Sequence, residues 1–174
     1  MAYAVTHILL TIVVLDFFRH YIFGKHRFPR YLLVIGGIAG LLPDIDIPLS
    51  WAFSLITGVG TYFHGVFSHS IIWPVAFLGV GIIFYNLQPK KKNKSDYHFK
   101  TWAKISYVIS FGWFFHLVLD CLYGGYTSML WPLQTLTTFC PEFGLDKYAV
   151  SIDAIILVLW LAHEELHQKI KDYF

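Results

Sequence analysis

The chain carries few charged residues for its length. Only 14% of its 174 residues are Asp, Glu, Lys or Arg, whereas ordinary globular domains carry roughly 25%. Hydrophobic residues make up 56% of the chain. The length predicts a single domain over residues 1–174, and the composition favours a membrane protein over a soluble one.

A large net charge is also missing. The formal net charge is +2, which is too small to indicate a nucleic-acid partner. Most basic residues fall in two short segments, residues 25–30 and 90–104. Such clusters are typical of cytoplasmic loops between membrane spans.

Cysteine is scarce. Cys121 and Cys140 are the two cysteines of the chain, which excludes a four-thiolate zinc site. They could form a disulfide in an oxidising compartment, but their spacing alone leaves free thiols equally open.

Long apolar segments alternate with these polar stretches, which predicts an all-α integral membrane helical bundle of four or five spans. Trp51–Phe63 is too short to span with confidence and is interpreted as a re-entrant or interfacial segment. Pro43–Pro48 is not expected to form the interior of a helix, because a proline stands at each end. The predicted spans are Ala4–Phe23, Tyr31–Leu42, Ser70–Leu87, Trp102–Tyr123 and a last one that begins at Val150.

Seven side chains of the type that binds metals interrupt this apolar background near the predicted helix ends. Ionisable groups in such surroundings are costly and usually mark function. If both basic loops face the cytoplasm, all seven fall at the extracytoplasmic end of the bundle. These residues are His7, Asp44, Asp46, His64, His69, His116 and Asp120.

The spacing of these residues suits a shared site. His116 and Asp120 are four apart and lie on one helix face. Asp44 and Asp46 point to the same side if the backbone there is extended. Taken singly, each has a structural explanation, such as a turn, a helix cap or an interfacial histidine. Their collection at one membrane face favours a metal site over chance.

Imidazole and carboxylate ligands together suit zinc and other divalent first-row ions. Seven candidates exceed one tetrahedral site, so we expect two ions. Asp153 is a further candidate ligand or a hydrogen-bond acceptor for one. His163 and His167 match the His-Glu-x-x-His spacing of zinc proteases. They are predicted to lie at the cytoplasmic end of the bundle, away from the seven residues, so we interpret this match as coincidental.

With these residues identified, the chain resembles the YdjM family of membrane-bound metal-dependent hydrolases. The chain also resembles zinc-dependent phospholipase C proteins, but more loosely. Where that family often has His-Arg-Gly-x-Thr-His-Ser, this chain has glycine in place of the arginine. The resemblance implies a metal-dependent hydrolase whose ligands are the seven residues above. The matching stretches are Thr6-His7, Leu42–Asp46, His64–Ser70, His116–Asp120 and Gly124–Pro132.

The predicted function is therefore metal-dependent hydrolysis of a phosphoester in a membrane lipid or lipid-linked substrate, with Asp44 or Asp46 as general base. The location is the cell or inner membrane, with the site on the extracytoplasmic side. The alternative is a non-catalytic membrane protein, such as a metal-ion carrier or a haem-binding subunit. A carrier is expected to hold its ionisable residues near mid-membrane.

Overall fold

The computed structural model describes residues 3–60, 64–65, 67–87, 94–123, 129–132, 140, 143 and 145–167. Every regular element in these ranges is helical, as the sequence predicts. Single turns of other helix types follow α1 and precede α3 and α6. The α-helices are α1 (Ala4–Phe18), α2 (Tyr31–Ala39), α3 (Asp46–Thr57), α4 (Ile72–Asn86), α5 (Lys94–Leu122) and α6 (Ala149–His167).

Helix α5 lies at the centre of the bundle. It packs against α4, α2 and α1, while α6 packs on α1. Its buried side chains join three apolar clusters, centred on Val108, Leu117 and Leu119. Each cluster therefore ties α5 to a different neighbour, which is why one long helix organises the fold.

Small residues allow α2 to approach α5 closely. A Cβ atom at Gly112 would lie 2.7 Å from the Cβ of Ala39 and 2.8 Å from the carbonyl oxygen of Gly36. Both distances are shorter than real contacts. Close backbone approach at small residues is the usual way in which membrane helices pack.

Two helical segments are long and apolar enough to cross a membrane, namely Ala4–Phe23 and His98–Leu122. A third crossing is added if α2 and the helical segment Leu42–Thr57, which meet at a bend, form one broken span. Helix α4 has 15 residues, or about 22 Å, which is short of a ~30 Å hydrocarbon core. The described residues thus support two or three spans, and the predicted four or five are not confirmed.

Pro43–Pro48 lies at helix ends rather than in a helix interior, but its backbone is helical. Leu42–Ile45 form a 3-10 turn with Pro43 near its start, and α3 begins at Asp46 with Pro48 in its first turn. Proline is tolerated there because the first N–H groups of a helix have no partner within the helix. Asp44 and Asp46 therefore stand on helical rather than extended backbone.

The two ends of the bundle differ in chemistry. At one end the Lys104 ammonium group donates a hydrogen bond of 2.8 Å to the carbonyl oxygen of Arg27, which brings the two basic segments together. At the other end Cys121 and Cys140 form a disulfide. Of the two options that the sequence left open for these cysteines, the structure has the disulfide.

We expect Gly112→Ala to destabilise the protein by about 1–3 kcal/mol, because the added methyl group forces α2 and α5 apart. The measurement is the thermal unfolding midpoint in detergent. Gly79→Ala in α4 is the matched control, since a Cβ atom there meets nothing within 4 Å. Equal midpoints for the two variants would contradict the close approach.

Candidate metal centre

All seven predicted residues lie at one end of the bundle. His7 is in the first turns of α1, and Asp44 and Asp46 lie between α2 and α3. His64 and His69 precede α4, while His116 and Asp120 lie in the last turns of α5. Side chains from both halves of the chain therefore meet where these helices begin or end.

The ring of His116 has a fixed orientation. Its Nδ1 lies 2.7 Å from the carbonyl oxygen of Gly40, so Nδ1 carries a proton and, in the neutral ring, Nε2 presents a lone pair. Position 40 must be glycine here, because a Cβ atom would lie 2.8 Å from the carbonyl oxygen of His7. The close approach of α1 and α2 thus sets the tautomer of His116.

The ring of His69 is fixed by Ser68. The Ser68 hydroxyl donates its one proton to Oδ2 of Asp46, so it can only accept from Nδ1 of His69, 3.0 Å away. Nδ1 therefore carries the proton of the neutral ring, and Nε2 is again an acceptor. A histidine that binds a metal is commonly held in this way by a hydrogen bond to its other nitrogen.

Four acceptor atoms consequently converge. Nε2 of His116 lies 3.3 Å from Nε2 of His69, 3.6 Å from Oδ1 of Asp44 and 3.2 Å from Oδ2 of Asp120. Nε2 of His69 lies 3.5 Å from the same Asp44 oxygen and 3.6 Å from the same Asp120 oxygen. With both rings neutral, lone pairs at these distances repel one another, and either a metal ion or a proton between them removes that repulsion.

These distances fit a tetrahedral zinc site. Ligand atoms about 2.0–2.1 Å from a tetrahedral zinc ion are, by geometry, about 3.3 Å from one another. The five measured separations run from 3.2 to 3.6 Å. Every separation that involves an imidazole nitrogen is therefore close to that in such a site, and two imidazole nitrogens with two carboxylate oxygens are donor types that suit zinc. We call His69, His116, Asp44 and Asp120 the central tetrad.

His7 and His64 flank the central tetrad. The ring of His7 stacks on His116 with centroids 3.7 Å apart, and its Nε2 lies 3.4 Å from Oδ1 of Asp120. Neither ring nitrogen of His7 has a hydrogen-bond partner among the described residues, although the side chain is 1% exposed. A buried imidazole in this state is costly unless a ligand completes it.

The sequence treated Asp44 and Asp46 alike, but the structure gives them different surroundings. Oδ1 of Asp46 lies 2.8 Å from Nδ1 of His64, and Oδ2 accepts from Ser68 and from the Gly65 N–H. Asp46 belongs to none of the candidate ligand groups among the described residues, whereas Asp44 belongs to two. Asp46 thus positions the two histidines that precede α4.

Four residues to which the sequence assigned no role at the site help to position its side chains. They are Thr6, Gly40, Ser68 and Trp113. The Thr6 N–H and hydroxyl both donate to Asp153, which ties α6 to the turn that carries His7. Nε1 of Trp113 donates to the Ser68 carbonyl oxygen at 2.9 Å. Asp153 is therefore a hydrogen-bond acceptor and is absent from the candidate ligand groups of the described residues.

Two further sequence features are the His163 and His167 pair and the Gly124–Pro132 stretch. His163 lies in the last turns of α6 and is exposed, and it joins no candidate ligand group in the described part of the chain. His167 is the last residue of α6. The Trp131 carbonyl oxygen accepts from Ser70, so the described part of the Trp131-Pro132 segment lies beside the start of α4. Gly124 and Gly125 lie outside the described residues.

The model of the YdjM inner membrane protein family matches residues 1–171. The chain belongs to the YdjM family. No curated protein and no solved structure matches it significantly. Membership in the YdjM family, together with helices able to span a membrane, identifies the chain as an inner membrane protein. The match covers every residue of the candidate centre.

We expect Asp44→Asn and Asp46→Asn to affect metal binding differently. Asp44→Asn removes a ligand of the central tetrad and should abolish stoichiometric binding. Asp46→Asn only loosens the hold on His64 and His69, so it should weaken affinity by about 10–100-fold. Competition against a chromophoric chelator measures both.

Glu165→Gln is the control for the loss of one negative charge, because Glu165 is exposed on α6. Its affinity should equal that of the unaltered protein. Complete loss of metal in Asp46→Asn would instead make Asp46 a ligand.

Proposed function

We propose that this protein is a membrane-bound hydrolase that requires divalent metal ions, zinc foremost, and cleaves a phosphoester of a membrane lipid or lipid-linked substrate. The observation that carries the proposal is the central tetrad, in which the two imidazole Nε2 atoms lie 3.2–3.6 Å from each other and from the two carboxylate oxygens. Three of its residues are at most 1% exposed, while the Asp44 side chain is 24% exposed. The centre is thus buried on most sides and reached at Asp44.

Divalent ions in such a centre supply Lewis acidity, which acidifies water and stabilises negative charge on a phosphoryl oxygen. The donor set supports a second ion beside the central tetrad, because Nε2 of His7 lies 3.4 Å from Oδ1 of Asp120. The central tetrad uses the other oxygen of that carboxylate, so one carboxylate could serve two neighbouring ions.

Of the two aspartates predicted to act as general base, Asp44 fits better. Both carboxylate oxygens of Asp46 accept hydrogen bonds from other residues, so Asp46 serves to position His64 and His69. Asp44 is the most exposed of the three aspartates in the cluster, which places it where substrate and water enter. We therefore assign proton transfer to Asp44.

A lipid substrate is supported by the surroundings of the centre. Helix α3 begins at Asp46 and exposes large apolar side chains, with Leu55 86% and Ile56 84% exposed. Trp51 on the same helix is 66% exposed. An apolar helix with an exposed tryptophan suits the membrane interface. A lipid headgroup at that level lies beside the opening at Asp44.

The geometry disfavours the alternative functions. A haem needs its two axial imidazoles on opposite sides of a macrocycle, but Nε2 of His69 and Nε2 of His116 are 3.3 Å apart with carboxylates beside them. A metal-ion carrier needs ionisable groups near mid-membrane, whereas this cluster lies at one end of the bundle.

We expect the purified protein to bind about two zinc ions per chain and to hydrolyse phospholipids in mixed micelles. His116→Ala should lose both properties because its Nε2 belongs to the central tetrad, and a chelator should remove activity that added zinc restores. Metal content is measured by plasma mass spectrometry, and hydrolysis by release of diacylglycerol or phosphatidate.

His163→Ala is the matched control, since it removes an exposed histidine outside the centre. Bound metal without hydrolysis of any phosphoester would favour the carrier. Absence of stoichiometric metal from the unaltered protein would overturn the site itself.

We also propose that the centre faces the extracytoplasmic side. The basic segments meet at the opposite end through Lys104 and Arg27, and basic loops favour the cytoplasm. The disulfide between Cys121 and Cys140 adjoins Asp120 at the end that holds the centre, and disulfides persist in oxidising compartments. Two independent features thus support one orientation.

Single cysteines test this orientation. A membrane-impermeant maleimide added to intact spheroplasts should label Tyr148→Cys, because Tyr148 is 63% exposed just before α6. Lys25→Cys, in the exposed loop at the other end, should react only after the membrane is disrupted. The reverse pattern would place the centre in the cytoplasm.

A further inference from the structure

A cavity lies at the basic end of the bundle, far along α5 from the metal centre. Its volume is about 400 Å³, within the range of small-molecule sites. The walls are almost wholly apolar and are formed by α1, the loop that follows it and α5. Leu15, Phe18, Phe28, Val108 and Phe111 are among the lining residues.

The loop that forms one wall is fixed at two points. Nε of the buried Arg19 donates to the carbonyl oxygen of Phe28 at 3.0 Å, and its Nη1 pairs with Asp16 at 3.1 Å. Lys104 holds the same loop through the carbonyl oxygen of Arg27. The cavity is therefore already shaped without an occupant.

Two cations stand at this otherwise apolar cavity. Arg27 and Lys104 both line it and both are exposed. The Lys104 ammonium group has three donors and gives one to the Arg27 carbonyl oxygen. Along α5, Phe111 lies seven residues beyond Lys104, or about 10 Å deeper. Charge at one end and an apolar channel below it match the two parts of an anionic lipid.

We propose that this cavity binds an anionic phospholipid from the leaflet on the side of the basic loops. One acyl chain enters the cavity between α1 and α5, and the phosphate lies between Arg27 and Lys104. Basic pockets between membrane helices bind anionic headgroups in this manner. The site is separate from the metal centre and from the lipid that the proposed reaction would consume.

Native mass spectrometry of the full chain in detergent tests the site, with titration of palmitoyl-oleoyl phosphatidylglycerol against the phosphatidylcholine of the same chains. We expect the anionic lipid to bind at least about fivefold more tightly, from about one kcal/mol per basic residue at the headgroup. Arg27→Gln should reduce that preference by about fivefold.

Lys25→Gln is the matched control, because Lys25 is an exposed cation of the same loop that does not line the cavity. It should keep the preference. Equal losses in Lys25→Gln and Arg27→Gln would overturn the site in favour of general surface attraction, as would equal binding of the two lipids to the unaltered protein.

Phe18→Trp tests the apolar part, since the larger ring narrows the cavity and should weaken both lipids. An unchanged unfolding midpoint shows that the variant is folded. Unchanged binding of both lipids would overturn the proposed path of the acyl chain. A dimer that Phe18→Trp dissociates would overturn it too, because a second copy of the chain would then fill the cavity.

Discussion

Repulsion among acceptor atoms is the constraint on which this structure depends. The Gly40 carbonyl oxygen and the Ser68 hydroxyl fix the protons of His116 and His69 on their outer nitrogens, so the inner nitrogens meet two carboxylates with lone pairs only. Such a cluster costs free energy in an apolar bundle unless a cation neutralises it. The helix ends, the glycine at position 40 and the hydrogen bonds of Asp46 together hold it in place.

The long helix α5 connects the two regions that are proposed to bind lipids, the metal centre and the apolar cavity. Its last turns supply His116 and Asp120 to the metal centre, and its first turns supply Lys104 to the apolar cavity. Between them, buried Trp113 packs against α4, and no residue that lines the cavity belongs to the metal centre. A permanent lipid at one end and a transient one at the other are compatible with this division.

Much of the centre could be predicted from the sequence because histidines and aspartates stand out against an apolar background. The different roles of Asp44 and Asp46 could not be predicted from the sequence. They depend on a helical turn, where the two prolines argued against helix, and on a hydrogen bond from Ser68, a residue type that does not indicate a metal site. Four or five spans were predicted from the apolar segments, whereas the described residues support two or three, because the 15 residues of α4 are too few to cross a hydrocarbon core. The role of Gly40 at the centre could not be predicted either, because only the packed structure shows that a Cβ atom there would meet the carbonyl oxygen of His7.

The chain order of the ligands has a consequence for biosynthesis. His7 is supplied by the first helix and Asp44 follows the second, but His116 and Asp120 come at the end of α5, and the Thr6 contact that steadies His7 waits for Asp153 in α6. An insertion intermediate that contains only the first four helices therefore holds half of the central tetrad. Loading of the proposed metal site would therefore follow the insertion of α5 and α6, and an ion would bind a completed fold rather than guide an unfinished one.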